Sequence, residues 1–154
     1  MQNEKTKKIK LALRFSLALI ASVLAGYLFH NANLSQNTHQ HLKVNSTVIN
    51  IEIAKTSQEK AKGLCCRDSL GENNGMLFVY DKPGFYSFWM KDTKIPLDIY
   101  WINSDKRIIH IEENVLPASY PKAYVSKQMA QYVLETNAGF TKKYDIAVGD
   151  TVGF

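Results

Sequence analysis

After a polar opening stretch, the chain shows short apolar segments that alternate with turn residues. In TVINIEIA, residues 47–54, isoleucine occupies every second position over most of the segment, and polar side chains lie between. This alternation is typical of a strand with one buried face. Thr56 and Glu59 have the spacing of a capping box, and Gly63 follows. They predict one short helix near residues 56–64.

Further short apolar segments follow, each bounded by Gly, Pro, Asn, Asp or Ser. They predict strands over 75–80, 85–90, 97–102, 107–112, 132–135, 146–148 and 151–152. DKPG (81–84) reads as a turn and NSDK (103–106) as a hairpin loop. We expect 85–90 and 97–102 to pair. Many short strands with one helix favour a mainly β (β-rich α+β) fold, a compact antiparallel β-sandwich or barrel-like domain.

Residues 1–29 have the pattern of an export signal. Five basic side chains precede or adjoin the apolar run FSLALIASVLAGYLF, residues 15–29. At about 1.5 Å per residue this run spans roughly 22 Å, less than the ~30 Å hydrocarbon core of a bilayer. We expect a signal peptide, cleaved after Ala25, or a short N-terminal membrane anchor. Either one places the folded part in the periplasm, on the outer face of the cytoplasmic membrane, or outside the cell.

Residues 30–46 are polar and lack an apolar period, so they predict a flexible spacer before a single globular domain over 47–154. His39 and His41 lie in this stretch. A metal site needs three or four ligands and no partner for the two histidines is evident. The sequence therefore predicts no metal site.

The net charge of the folded part and the absence of common cofactor and hydrolase motifs narrow the range of possible functions. The chain carries +5, but residues 1–14 hold five Lys and Arg and one Glu, so they account for +4 and leave +1 elsewhere. A nearly neutral folded part gives no support for nucleic-acid binding. The sequence contains no GxGxxG, P-loop, HExxH or GxSxG motif. We therefore expect no cofactor.

Five segments occur in a recognisable order: GLCCRDSL, GMLFVY, FWMKDTKIPLDIYWI, YVLETNAG and IAVGDTV. Together they resemble the bacterial and archaeal domain-of-unknown-function family 192, also called uncharacterised protein family 0127. The resemblance covers roughly residues 47–154. It implies one small β-rich domain, frequently exported, with no established activity. The chain departs from the family pattern at Cys65, where Met is usual, and at Asp92, where Asn is usual.

Asp98 and Glu135 are the candidate catalytic residues. Asp98 follows Ile95-Pro96 and begins an aromatic strand, where a carboxyl with a shifted pKa is a candidate acid or base. The structural alternative is that its carboxylate accepts backbone N–H groups and fixes the 91–96 connection. Glu135 lies in an otherwise apolar strand, either outward or inward and paired. If the two carboxyls converged, they would allow glycosidase-like chemistry.

The candidate ligand-binding residues are Arg67, Trp89, Lys91, Asp92 and Asp98, with Lys94 in the same polar connection. Arg67 is expected to pair with Asp98 or Glu135. The leading hypothesis is a ligand- or protein-binding accessory module of the envelope, in which these side chains hold a small polar ligand or a partner loop over an aromatic floor.

Two alternatives stay open at this stage. A hydrolase or lyase would use Asp98 with Glu135 or Arg67, and a purely structural domain would present an exposed apolar face without a pocket. The sequence does not decide whether the protein is an enzyme. The adjacent Cys65 and Cys66 allow a redox switch, a soft-metal contact or an intermolecular bridge. The favoured interpretation is that Cys65 is a small hydrophobic residue in place of Met, that Cys66 fills a variable position, and that neither has such a role.

Overall fold

The computed structural model describes residues 22–24 and 40–154. Residues 22–24 are helical and belong to a unit over Met1–Thr38, whereas the folded domain belongs to a unit over His39–Phe154. None of the helices in these ranges is long and apolar enough to cross a membrane. Apart from residues 22–24, the predicted signal or anchor segment lies outside the described residues.

The domain is built mainly from strands, which confirms the predicted fold class. In chain order the strands are β1 (Gln40–Val44), β2 (Thr47–Ala54), β3 (Asn74–Gly84), β4 (Ser87–Trp89), β5 (Leu97–Ile102), β6 (Ile108–Val115), β7 (Ala123–Val125), β8 (Ala130–Asn137) and β9 (Val152–Gly153). The helices are α1 (Ser57–Lys62) and α2 (Phe140–Lys143), with a 3₁₀ turn at Pro117–Ser119.

Seven strands form one curled sheet, in the order β6-β5-β8-β3-β2-β1-β9, and β4 and β7 form a separate small sheet. Strands β2 and β3 are parallel, and all other neighbours are antiparallel. A parallel pair needs a crossover, which α1 and its flanking loops supply. The large sheet is therefore mixed rather than purely antiparallel.

The predicted helix is present as α1, and its capping box is complete. The Thr56 hydroxyl accepts a hydrogen bond from the Glu59 N–H at 3.2 Å, and the Glu59 carboxylate accepts one from the Thr56 N–H at 2.8 Å. The helix ends at Gly63, where φ is +50° and the N–H donates to the Glu59 carbonyl at 2.8 Å. Glycine adopts this backbone conformation without strain.

The predicted spacer is too long at its C-terminal end. Residues 40–44 form β1, which pairs with β2, and both Leu42 and Val44 are completely buried. The domain therefore begins near residue 40 rather than 47. Alternation alone indicates this strand only weakly, because it contains just two buried apolar positions, separated by Lys43.

Two expectations about the aromatic segments are wrong. Residues 81–84 continue β3 instead of forming a turn, and β4 pairs with β7 instead of with β5. The connection over 91–96 carries the chain from the small sheet to the large sheet, so its flanks are not a hairpin. The predicted β5–β6 hairpin is confirmed: the Asn103 side chain accepts hydrogen bonds from the Asp105 and Arg107 N–H groups.

The large sheet separates two cores. On one face, here called the cavity face, the buried side chains include Phe78, Ile99 and Trp101, and the small sheet covers them with Phe88 and Tyr124. On the opposite face, the buried side chains include Leu77, Tyr100 and Leu134, covered by Phe140 and Ile146. Because side chains alternate along a strand, neighbouring residues of β8 enter different cores.

Candidate functional site

A cavity of about 90 Å³ lies between the cavity face and the small sheet. Its wall comes from the end of α1, from β3, β4 and the connection after β4, and from one residue of β8. The lining residues are Lys60, Ala61, Lys62, Gly63, Leu64, Phe78, Tyr80, Ser87, Phe88, Trp89, Lys91, Thr93 and Glu135. This volume accommodates several waters or a small chemical group, but not a whole drug-sized molecule.

Glu135 supplies the acidic group of the cavity. In the sheet it lies between Met76 of β3 and Ile99 of β5, so its side chain points to the cavity face. The residue is 5% exposed, and within residues 40–154 no side chain or backbone group forms a hydrogen bond with its carboxyl. Burial raises the pKa of this carboxyl from 4.5 to about 8. Glu135 is therefore mostly protonated at neutral pH.

Aromatic rings form much of the remaining wall. Phe78 and Phe88 meet edge to face, with ring centroids 4.8 Å apart. Tyr80 stacks on Tyr86 at 3.4 Å between centroids, and burial raises the pKa of Tyr80 to about 12. The Trp101 indole N–H donates to the Tyr86 carbonyl at 2.9 Å, which fixes the chain just before β4.

Lysines and one tryptophan surround the opening. The Lys60 ammonium lies 4.3 Å from the centroid of the Tyr80 ring, a cation–π contact. Lys62 and Lys91 are exposed, and within the described chain neither forms an ion pair. Trp89 is 58% exposed and meets the Tyr120 ring edge to face. The opening is therefore cationic, while the interior is aromatic and acidic.

The predicted site residues do not share one concavity. Trp89, Lys91 and Glu135 line the cavity, whereas Arg67, Asp92, Lys94 and Asp98 do not. The polar rim expected from the sequence is therefore wrong as a set. Lys94 instead forms an exposed ion pair with Asp68 at 2.8 Å, which lowers the pKa of the Asp68 carboxyl.

Asp98 is a structural residue on the opposite face of the large sheet. It pairs with Thr136 rather than with Glu135, and it is completely buried. Its carboxylate accepts hydrogen bonds from the Asn114 N–H at 2.8 Å and the Thr141 N–H at 2.9 Å. It therefore joins β6 and α2 to β5 and does not fix the 91–96 connection. The hypothesis that Asp98 and Glu135 converge is wrong.

Arg67 pairs with a carboxylate that the sequence did not indicate. Its guanidinium binds both oxygens of Glu52 on β2, one of them at 2.7 Å, and this pair raises the pKa of Arg67. Glu52 lies in register with Met76 on the cavity face. The clamp therefore ties the loop after α1 to the sheet beside the cavity without entering it.

The connection after β4 contacts the loop after α1. The Asp92 carbonyl accepts a hydrogen bond from the Cys66 N–H at 2.9 Å, and Asp92 has φ of +55°. Asp and Asn both tolerate this conformation, so the replacement of the usual Asn is compatible with the backbone. Cys65 and Cys66, whose redox state the sequence left open, are joined by a disulfide.

Sequence reasoning missed most of the cavity wall. Lys60 and Lys62 lie in the last turn of α1. The helical pattern of the sequence does not indicate which strands are packed next to them, here β3 and β4. Glu135 was expected to point outward or to be paired, and it is inward without a hydrogen-bond partner in the described chain. Within residues 22–24 and 40–154, no cluster of His, Cys, Asp or Glu is arranged to hold a metal ion.

The protein is therefore a small, mainly β domain in which a two-stranded sheet covers a curled seven-stranded sheet, with the Glu135 cavity between them. The family model for domain-of-unknown-function family 192, described as "Uncharacterized ACR", matches residues 40–154. The chain belongs to this family. Among curated proteins, none matches the chain.

Two solved structures resemble the domain closely. One is a protein of unknown function from Novosphingobium aromaticivorans, with 35% identity, a TM-score of 0.71, and coverage of 74% of this chain and 84% of the other. The second comes from Sinorhizobium meliloti and carries the name "putative transcription regulator". It has 33% identity and a TM-score of 0.69, over 73% of this chain and 89% of the other.

Proposed function

We propose that the protein is an exported or membrane-tethered binding module of the cell envelope, and that a small polar ligand enters the Glu135 cavity. The N-terminal sequence, basic and then apolar, supports export. The cavity supports binding because it is small, lined by aromatic side chains, and holds a few polar groups, as ligand sites usually do.

The burial of the Glu135 carboxyl carries this proposal. Within residues 40–154 the Glu135 carboxyl forms no hydrogen bond, although the same fold provides two donors for Asp98. The carboxyl faces the cavity instead, so its hydrogen-bond partner there is water or a ligand. A ligand in the cavity would supply the missing hydrogen bond, and its binding would stabilise the folded state.

A thermal-shift screen of the full-length chain tests the proposal. Sugars, peptidoglycan fragments, amino acids and small anions are added to the wild type, to Glu135→Gln and to the control Glu113→Gln, which changes an exposed carboxylate on β6. A ligand that binds at 100 times its Kd stabilises the folded state by about 2.7 kcal/mol. We expect a compound that raises the Tm of wild type and of Glu113→Gln but not of Glu135→Gln. If every active compound acts equally on all three, the cavity is not the binding site.

A second candidate is acid–base catalysis by Glu135 alone. A carboxyl with a pKa near 8 exchanges a proton readily at neutral pH, as a general acid or base must. Asp98 does not support the alternative in which it acts together with Glu135, because its carboxylate is buried on the other face of the sheet. NMR of a bound compound separates the two functions: a binding module returns the compound unchanged, and an enzyme converts it at a rate that Glu135→Gln abolishes.

A further inference from the structure

The charges around the cavity are ordered from its interior to its opening. The interior holds one carboxyl, Glu135, which forms no hydrogen bond within residues 40–154. Three lysines, Lys60, Lys62 and Lys91, also line the cavity, and Lys62 and Lys91 are exposed, on its solvent side. A ligand that complements this order presents a positive group to the interior and a negative group to the opening.

The aromatic wall favours the same polarity. The faces of aromatic rings carry negative electrostatic potential and attract cations. The contact of the Lys60 ammonium with the Tyr80 ring shows that one wall residue already receives a cation on its face. An ammonium in the interior would be attracted by the Glu135 carboxylate, whereas an anion would be repelled by it.

We propose that the ligand is a small zwitterion, whose ammonium enters the cavity to pair with Glu135 while its carboxylate or phosphate stays near Lys62 and Lys91. This inference rests on the proposed function and names the ligand class for the same cavity. Amino acids and aminoalkyl phosphates share this chemistry. The cavity volume of about 90 Å³ suits an ammonium with a short carbon chain.

Binding of such a ligand is coupled to proton release. At neutral pH the buried Glu135 carboxyl is mostly protonated, and an adjacent ammonium favours its charged form. The O–H bond of the carboxyl breaks, its proton passes to solvent, and the resulting carboxylate accepts hydrogen bonds from the ammonium. An anionic ligand would bind the protonated carboxyl and release no proton.

Other ionisable groups also surround the Glu135 cavity. On β3 the neighbour is Tyr80, whose pKa is raised to about 12. The end of α1 contributes Lys60 and Lys62, and the connection after β4 contributes Lys91. Beyond Met76, Glu52 forms an ion pair with Arg67. Ile99 on β5 is apolar. Comparison of the wild type with Glu135→Gln therefore decides whether a pH dependence of binding between neutral pH and about pH 8 comes from Glu135.

The test compares probes of similar size that differ in charge. Glycine and phosphoethanolamine are zwitterions, glycolate keeps the carboxylate but replaces the ammonium by a hydroxyl, and ethanolamine keeps only the ammonium. The Kd of each probe for the full-length chain is measured by tryptophan fluorescence, because Trp89 lines the cavity. Each titration is repeated from about pH 6 to about pH 9.

We expect a zwitterion to bind more tightly than glycolate or ethanolamine. Its affinity should rise about tenfold per pH unit below the pKa of Glu135 and then level off. Whether glycine or phosphoethanolamine binds more tightly identifies the anionic group. Glu135→Gln should weaken the zwitterion at least tenfold and remove the pH dependence. Lys91→Gln should weaken the zwitterion but not ethanolamine, and the control Lys142→Gln, on α2, should change neither.

Two results would overturn the inference in different ways. If glycolate binds as tightly as the zwitterions and its affinity stays flat or falls with pH, the ligand class is wrong, but a Glu135-dependent site remains. If none of the four probes binds in a Glu135-dependent manner and the broader screen also finds nothing, both the ligand class and the proposed function are wrong.

Discussion

At the scale of the residue, burial changes the acid–base chemistry of Glu135. Asp98, another buried carboxyl of the domain, receives two backbone N–H groups, whereas Glu135 faces a cavity. The strand alternation of β5 and β8 sends the two side chains to opposite faces of the sheet. The two buried carboxyl groups therefore have different roles. Asp98 joins strands and a helix in one core, whereas Glu135 remains available to a ligand in the cavity.

Glu135 should make the stability of the protein depend on pH. Its pKa is about 8 in the folded state and near 4.5 when exposed, so the folded state binds the proton more tightly. The stabilisation is complete below about pH 4.5 and is lost as the pH rises to about 8. A shift of this size corresponds to a loss on the order of 5 kcal/mol in the free energy of unfolding. Urea unfolding of the wild type and of Glu135→Gln across this range measures the difference.

Glu135→Gln removes the titration, so its free energy of unfolding should lack the component that falls between about pH 4.5 and pH 8. The exposed change Glu113→Gln should leave that component intact. Parallel pH profiles for wild type and Glu135→Gln would show that Glu135 keeps an ordinary pKa in the folded protein.

Asp98→Asn should destabilise the fold without affecting ligand binding to the Glu135 cavity. The amide has one acceptor oxygen, so its NH₂ group must face one of the two N–H donors from Asn114 and Thr141. We expect a loss of roughly 2–3 kcal/mol in the free energy of unfolding. Urea unfolding measures it, with Glu113→Gln as the control. A loss below about 0.5 kcal/mol, the usual range for surface changes, would contradict the structural role.

At the scale of the element, Gly75 sets how closely β3 and β8 approach beside Glu135. A Cβ atom at this position would lie 2.7 Å from the Glu135 carbonyl oxygen, closer than any relaxed contact. The glycine therefore fixes both the pairing of the two strands and the position of the acidic residue in the cavity.

Gly75→Ala should lower the free energy of unfolding by about 1–3 kcal/mol, because backbone atoms of β8 must shift to accommodate the methyl group. Gly153→Ala is the matched control, since a Cβ there meets Lys43 at an ordinary 3.9 Å. Thermal unfolding of both variants measures the difference. Equal stability of the two would show that β8 adjusts without cost.

The elements that the sequence predicted well are those defined by local signals. Residues 56–63 carry their own capping box and terminal glycine, and the β5–β6 hairpin carries Asn103 in its loop. The partner of β4 lies far away in the chain, so no local signal indicated it. Strand β1 pairs with the neighbouring β2, but only two buried apolar residues mark it in the sequence. Alternation in β8 separated two sets of side chains but could not show which set faces the cavity. The cavity itself could not be predicted, because four separate segments and β8 form it.

At the scale of the whole molecule, the N-terminal sequence predicts that the protein is exported across the cytoplasmic membrane. Leu19 lies within the apolar run over residues 15–29. A charged side chain at the centre of such a segment costs about 2.5–3.5 kcal/mol on insertion into a membrane. Leu19→Arg should therefore retain the protein in the cytoplasm.

Cell fractionation with protease treatment of spheroplasts measures this outcome. The wild type should be cleaved from outside, and Leu19→Arg should be protected. Gln36→Arg, which adds the same charge to the polar segment, is the control and should behave as wild type. A wild type that stays protected in intact spheroplasts and fractionates with cytoplasmic proteins would contradict export.

The pairing of β1 with β9 determines when the domain can finish folding. Val44 of the first strand pairs with Val152 of the last, so this edge of the large sheet stays open until nearly the whole domain has emerged from the ribosome. Contacts between segments so far apart form slowly, because a long loop must close first. Under the proposed export, this delay would help to keep the polypeptide unfolded while it passes through the translocation channel.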